Sequence, residues 1–260
     1  MLIIRNAQIE VFRATARNAF VDDMVAHLQG FAGRHCQVIG ESGVRAVVTD
    51  GLGRAEAHGF TQRGPAQLYI ELMFTFGSSF DSDPQLAWAA SALSVEDGAD
   101  AMLRANRLYD AAVHWLEAIA GPGNSFTLAA LTRLNSVAEQ PLGYGRDRLA
   151  EGLLTQLHQA YPEKASAVGD AGLLALIARA RTSAEAFGMG TFRGEILFCV
   201  LMFVMGHGFA QDALYPWVVR VVNDARSAAQ PEGRVQRLER HALTYLSGVV
   251  AHFGLVRGHV

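Results

Sequence analysis

Apolar residues recur along this chain at helical intervals. Near the start, Val11, Phe20, Met24 and Leu28 are spaced along one side of a segment running from about residue 7 to 30. Alternation with a period of two is nearly absent, and Ala, Leu and Arg, all good helix formers, dominate. The pattern predicts helices at roughly 7–30, 42–58 and 65–76, another after Asp83-Pro84, and one at 98–119. A second set is predicted at roughly 125–139, 170–187, 191–205, 213–229 and 232–253, with Pro141-Leu142-Gly143-Tyr144-Gly145 interrupting the helix before 170. The longest apolar run, Ile196 to Met205, has ten residues. A bilayer span needs about 20, so this run reads as a buried helix. The expected class is all-α, with ten or so helices.

The two sets match. Shifted by 129 positions, residues 24–88 align with 153–217 without a gap, and 16 of the 65 pairs are identical. The identities cluster: Ala55-Glu56-Ala57 meets Ala184-Glu185-Ala186, and Leu72-Met73-Phe74 meets Leu201-Met202-Phe203. With one residue inserted, Arg107-Leu108, Ala112 and Leu116 meet Arg237-Leu238, Ala242 and Leu246. The period is too long for a solenoid repeat and suits a small domain. The expectation is a tandem duplication of a roughly five-helix unit with pseudo-two-fold symmetry. The first unit is placed at 1–120, a linker at 121–124 (Gly-Pro-Gly-Asn), and the second unit at 125–260, the two packed as one body.

The densest match is LMFTFGSSFDSDPQLAW (72–88) against LMFVMGHGFAQDALYPW (201–217). Asp81-Ser82-Asp83 alone reads as an acidic site. The echo favours a helix corner instead. Gly77 and Gly206 follow an apolar helix, where positive φ carries no Cβ penalty. Asp83 and Asp212 stand where the next helix starts, as N-caps, and Pro84 suits the first helical position. Phe80, Phe209, Trp88 and Trp217 supply aromatic cover. Asp81, which becomes Ala210, and His207, which replaces Ser78 in an exposed-looking turn, are the candidates for partner binding. A cation held by Asp81 and Asp83 would need more oxygen ligands than this loop offers.

Composition narrows the rest. Half of the 260 residues are hydrophobic and net charge is −3, which leaves no electrostatic footprint for nucleic acid. Residues 1–125 carry 9 Arg and 14 acidic residues; residues 126–260 carry 13 basic and 11 acidic ones. The N-terminus turns polar by residue 5, without a leader pattern. Cys36 and Cys199 lack CxxC neighbours, so the default is buried thiols in a reducing, cytoplasmic setting, with a single bridge between them left open. Nucleophile-elbow, zincin, Walker and paired-Cys motifs are missing from the sequence, as are closely spaced His pairs. No catalytic residue, cofactor or metal is assigned.

The corner resembles that of a family of poorly characterised bacterial all-helical proteins, in which an apolar helix ends in F-G-x-x-F-D-x-D-P followed by P-W or A-W. Phe76-Gly77-Ser78-Ser79-Phe80-Asp81-Ser82-Asp83-Pro84 with Ala87-Trp88 is close to that pattern. The second copy keeps Gly206, Phe209, Asp212, Pro216 and Trp217 but has Ala210 and Ala213 where the pattern has Asp and Pro. The resemblance implies genes beside type VI secretion effectors and a non-enzymatic role: an adaptor, chaperone or immunity protein that binds a co-encoded toxin or effector. It implies no catalytic residues. Two other readings stay open. One is a small-ligand sensor with a cavity of about 300 Å³ or more beside helix 191–205. The other is an enzyme built on Asp81, Glu71 and His207.

Overall fold

In the computed structural model, residues 6–95, 98–137, 143–224 and 230–257 are described, and every regular element among them is helical. The first half contains α1 (Asn6–Phe31), α2 (Gly33–Ile39), α3 (Glu41–Ala57), α4 (Arg63–Phe76), α5 (Ala87–Leu93) and α6 (Ala101–Ala120). The second contains α7 (Ser125–Val137), α8 (Leu149–Ala160), α9 (Pro162–Ala186), α10 (Phe192–Met205), α11 (Pro216–Asn223) and α12 (Pro231–Arg257). No described helix is long and apolar enough to cross a membrane.

The apolar pattern explains most of these elements. The run at 196–205 is α10, and its Phe198, Cys199, Leu201, Met202 and Phe203 are at most 1% exposed. Asp100 and Thr191 start α6 and α10 by accepting hydrogen bonds from Leu103 N–H and Gly194 N–H, at 2.8 and 3.1 Å. Two expectations change. The buried face of α1 begins at Phe20, because Val11 is 64% exposed. The helix expected from 213 starts at Pro216, because Asp212 first caps a separate turn. The expected helix at 170–187 is the second limb of α9, which follows the non-helical Gly169 (φ 73°), with a shorter limb from Pro162 before it. The predicted ends at 138–139 and 225–229, and Pro141-Leu142 of the interruption, lie outside the described residues. Short 3-10 turns lead into α5 and α7; the latter, Pro122–Asn124, falls within the stretch 121–124 read as a linker.

Equivalent helices sit at the 129-residue offset: α4 with α10, α5 with α11, and α2 plus α3 with the two limbs of α9. Two hydrophobic cores result, one per half. They meet at Ile119, Val168 and Tyr215, which pack against both, and Leu214 of the second half is buried in the core of the first. Cys36 and Cys199 lie in different cores as free, buried thiols. Burial pushes the Cys199 thiol up to about 12, which removes it as a nucleophile at neutral pH.

Candidate functional site

The two corners face one another at the centre of the molecule. Gly77 (φ 96°) ends α4 and Gly206 (φ 92°) ends α10. A Cβ on Gly77 would lie 2.9 Å from Met205 O, and one on Gly206 would lie 2.8 Å from Phe76 O. Both positions therefore need glycine twice over, for the left-handed backbone and for this close approach. Asp83 caps the 3-10 turn Pro84–Leu86 and not α5 itself: Oδ1 accepts from Gln85 N–H at 2.9 Å. It also reaches across, where Oδ2 accepts from His207 N–H at 2.7 Å. Asp212 does the same in the opposite sense. It accepts from Leu214 N–H at 2.9 Å, and from Ser78 N–H and Oγ–H at 2.7 and 2.6 Å. Each aspartate thus caps one turn in its own half and one in the other. Burial opposes ionisation of Asp83, but the His207 imidazole and the Gln85 and His207 N–H groups outweigh it and hold the carboxyl below its usual range.

His207 is therefore not in an exposed turn. It is 9% exposed, with Nδ1 3.3 Å from Asp83 Oδ2. The sequence suggested exposure because Gly206-His207-Gly208 has turn composition, and composition carries no information about the opposing corner. Phe80 and Phe209 are fully buried beneath the corners. Trp88 packs edge-on against Phe76, with centroids 5.5 Å apart, and Trp217 lies against Tyr245 at the same distance.

Asp81 faces its own half. Oδ1 accepts from Arg54 at 2.6 Å, while Oδ2 accepts from Tyr69 O–H at 2.6 Å and lies 3.2 Å from His58 Nε2. Burial raises its pKa, but the hydrogen bonds from His58 and Tyr69 and the charge of Arg54 prevail, bringing it to about 2. Burial, then the Asp81 carboxylate, push the Tyr69 hydroxyl well above its ordinary range. Neither Asp81 nor Tyr69 moves a proton near neutral pH, and the Arg54–Asp81 contact makes this cluster an ion-pair network. The second half carries Ser183, Phe187, Phe198 and Ala210 at the equivalent places. Ring geometry persists while polarity vanishes. The His58–Tyr69 and Tyr69–Phe80 centroids are 5.6 and 4.9 Å apart, against 5.9 and 5.3 Å for Phe187–Phe198 and Phe198–Phe209.

Asp81, Glu71 and His207 do not form a shared centre. Glu71 bonds His27 and Gln67, while the other two have the separate partners above. Among the described residues no three His, Cys, Asp or Glu side chains are grouped as a metal site requires. Glu56 pairs with Arg17, and Glu185 lies 4.0 Å from Arg181, so these two recurring carboxylates each serve their own half.

Two concavities border the clasped corners. A cleft of about 640 Å³ is lined from both halves by polar groups, among them Asp50, Arg54, Ser79, Arg179, His207 and Gln211. A cavity of about 410 Å³ runs between α6, α7, α9 and α10 and contains Lys164 and Gln85. Its volume lies within the usual range for small-molecule sites, about 300–1,000 Å³. Lys164 was not singled out from the sequence. Two signals pointed to it: it is the chain's one lysine, and it stands opposite His35 in the 129-residue alignment.

The outer surface adds a third feature. Along α6, Met102, Tyr109 and Leu116 are 46, 56 and 36% exposed. Asn106 and Val113 fall between them, giving alternating steps of four and three, with Asn106 the one polar member. Leu103, 45% exposed, widens the apolar strip at its N-terminal end. No protein-family model, no curated protein and no solved structure matches this chain.

Proposed function

We propose that this protein is a non-enzymatic interaction protein, an adaptor, chaperone or immunity factor for a co-encoded secreted effector of the type VI kind, and that α6 is its docking face. One observation carries the reading: the exposed, mostly apolar seam of α6. The equivalents on α12 of Met102, Leu103, Asn106 and Tyr109, 130 residues on, are Glu232, Gly233, Gln236 and Glu239. Glu239 pairs with Arg193 at 2.6 Å. The fold accommodates polar residues or glycine at these outer positions of α12, so packing does not require Met102, Leu103 and Tyr109 to be apolar on α6. A seam with three-and-four spacing suits the apolar face of an amphipathic helix. Its steps put Asn106 where a single asparagine fixes the register of a partner helix without removing the apolar contacts on either side. The chain supplies its own example of such packing, since α7 lies along α12, joined by Asn135 to Ser247 at 2.9 Å. Exposed apolar surface of this kind, rimmed by polar residues, marks association sites.

The test is co-purification with the proteins encoded beside this one. The unaltered chain is expected to form a complex at micromolar concentration. Met102→Asp with Tyr109→Asp should abolish the complex while leaving the thermal midpoint within a few degrees of the parent. Undiminished capture by the double variant removes α6 as the docking face. Failure to bind any neighbour-encoded protein overturns the reading.

A further inference from the structure

The 410 Å³ cavity has a mostly apolar lining with a few polar groups. Leu128, Leu131, Leu134 and Val204 line it, together with Leu116 from the C-terminal end of the α6 seam. Lys164, on α9, and Gln85, on the turn before α5, are among its polar lining residues, together with Asp83. Of the 22 basic residues, 21 are arginine, and the single lysine projects here. Its ammonium donates to Phe203 O and lies over the Phe203 ring, 4.8 Å from the centroid. An ammonium has three N–H donors, so this geometry leaves capacity for an acceptor from the cavity. Desolvation lowers the lysine to about 8 against the pull of Asp83, the carboxylate whose charge reaches it.

Gln85 gives an independent sign. It is 3% exposed, and its Nε2 donates to Met202 O at 2.9 Å and to Asp83. That orientation is forced, because both partners only accept. The amide oxygen Oε1 is then buried without a donor among the described residues. A buried, unpaired acceptor is costly and uncommon, and this one belongs to a side chain that lines the cavity.

We propose that this cavity binds a small apolar molecule ending in an amide, whose carbonyl accepts from Lys164 and whose N–H donates to Gln85 Oε1. The donor and acceptor pattern selects the class. A carboxylate would place a second negative charge beside Asp83 and offer Gln85 no hydrogen. An ester or ketone satisfies Lys164 alone. An alcohol must serve both residues through one oxygen, whereas an amide presents two atoms to two residues on different elements.

The single lysine makes the experiment direct. Protein grown with isotopically labelled lysine gives one side-chain signal by NMR, and octanamide is titrated against it. A saturable shift is expected, with octanoate and octanol each binding at least about tenfold more weakly, a difference worth one lost charge-assisted or buried hydrogen bond. Leu131→Trp, which adds bulk to the apolar lining, should abolish the shift. Gln85→Met should weaken octanamide about tenfold and leave octanol nearly unchanged. Should Gln85→Met not fold by circular dichroism, Leu131→Trp and the ligand series decide. The proposal falls if octanamide gives no saturable shift, if Leu131→Trp shifts equally, or if octanoate or octanol binds as tightly.

Discussion

Asp81 and Ala210 show how one position can carry charge in one half and none in the other. The exchange involves four residues: Arg54, His58, Tyr69 and Asp81 give way together to Ser183, Phe187, Phe198 and Ala210. Single substitutions should therefore hurt more than the full exchange. Asp81→Asn is expected to cost about 1–2 kcal/mol at pH 7, allowing for partial solvation of the site. The combination Arg54→Ser, His58→Phe, Tyr69→Phe and Asp81→Ala should recover most of that loss, as apolar replacement of whole ion-pair clusters often does. The pH dependence has a defined sign. Asp81 has a folded pKa of about 2 against 3.8 when free, so its contribution is complete above pH 3.8 and is lost as pH falls through about 2. Urea unfolding from pH 2 to 7 checks this: the parent should lose stability across that window, and Asp81→Asn should lose less.

At the scale of elements, the corner does two jobs with one carboxylate. A plain N-cap deletion costs roughly 1 kcal/mol. Asp83→Ala should cost more, about 2–4 kcal/mol, because it also strips His207 N–H of its partner and leaves Gln85 with one acceptor fewer. Asp212→Ala should behave alike, through Ser78. Both sites lie where Gly77 and Gly206 approach, so the double variant should cost less than the sum of the singles, since each breaks the same clasp. Urea midpoints of the four proteins measure that coupling, and strict additivity would show two independent caps.

For the whole molecule, the clasp and the shared core residues tie the halves together, and one folding unit is the expected consequence. Leu214 is 1% exposed within the core of the first half, and Ile119, Val168 and Tyr215 pack against both cores. A fragment of residues 1–120 would lose Leu214 and the Asp212 cap on Ser78; one of residues 125–260 would lose the Asp83 cap on His207. Neither fragment is expected to unfold cooperatively alone, while the full chain should show one calorimetric transition. A sharp transition in either isolated fragment would mean that the clasp joins two self-sufficient domains.

Much of this was legible from residue order. Helical class, the long buried α10, and the stop and start at Gly77 and Asp83 follow from local rules: apolar period, glycine's access to positive φ, and the reach of an aspartate to a nearby N–H. These act over a few residues, so they survive without knowledge of the fold, and the chain repeats them at 206 and 212. The roles of Asp83 Oδ2, His207, Lys164 and Gln85 Oε1 did not follow in this way. The hydrogen bond from His207 N–H to Asp83 spans 124 positions and that from Gln85 to Met202 spans 117. Such pairings depend on where two separated surfaces come to rest, which local composition does not encode. The sequence by itself determined what each segment becomes and where it turns. Tertiary packing alone decided which polar groups found partners across the centre, and left the buried Gln85 Oε1 without a donor among the described residues.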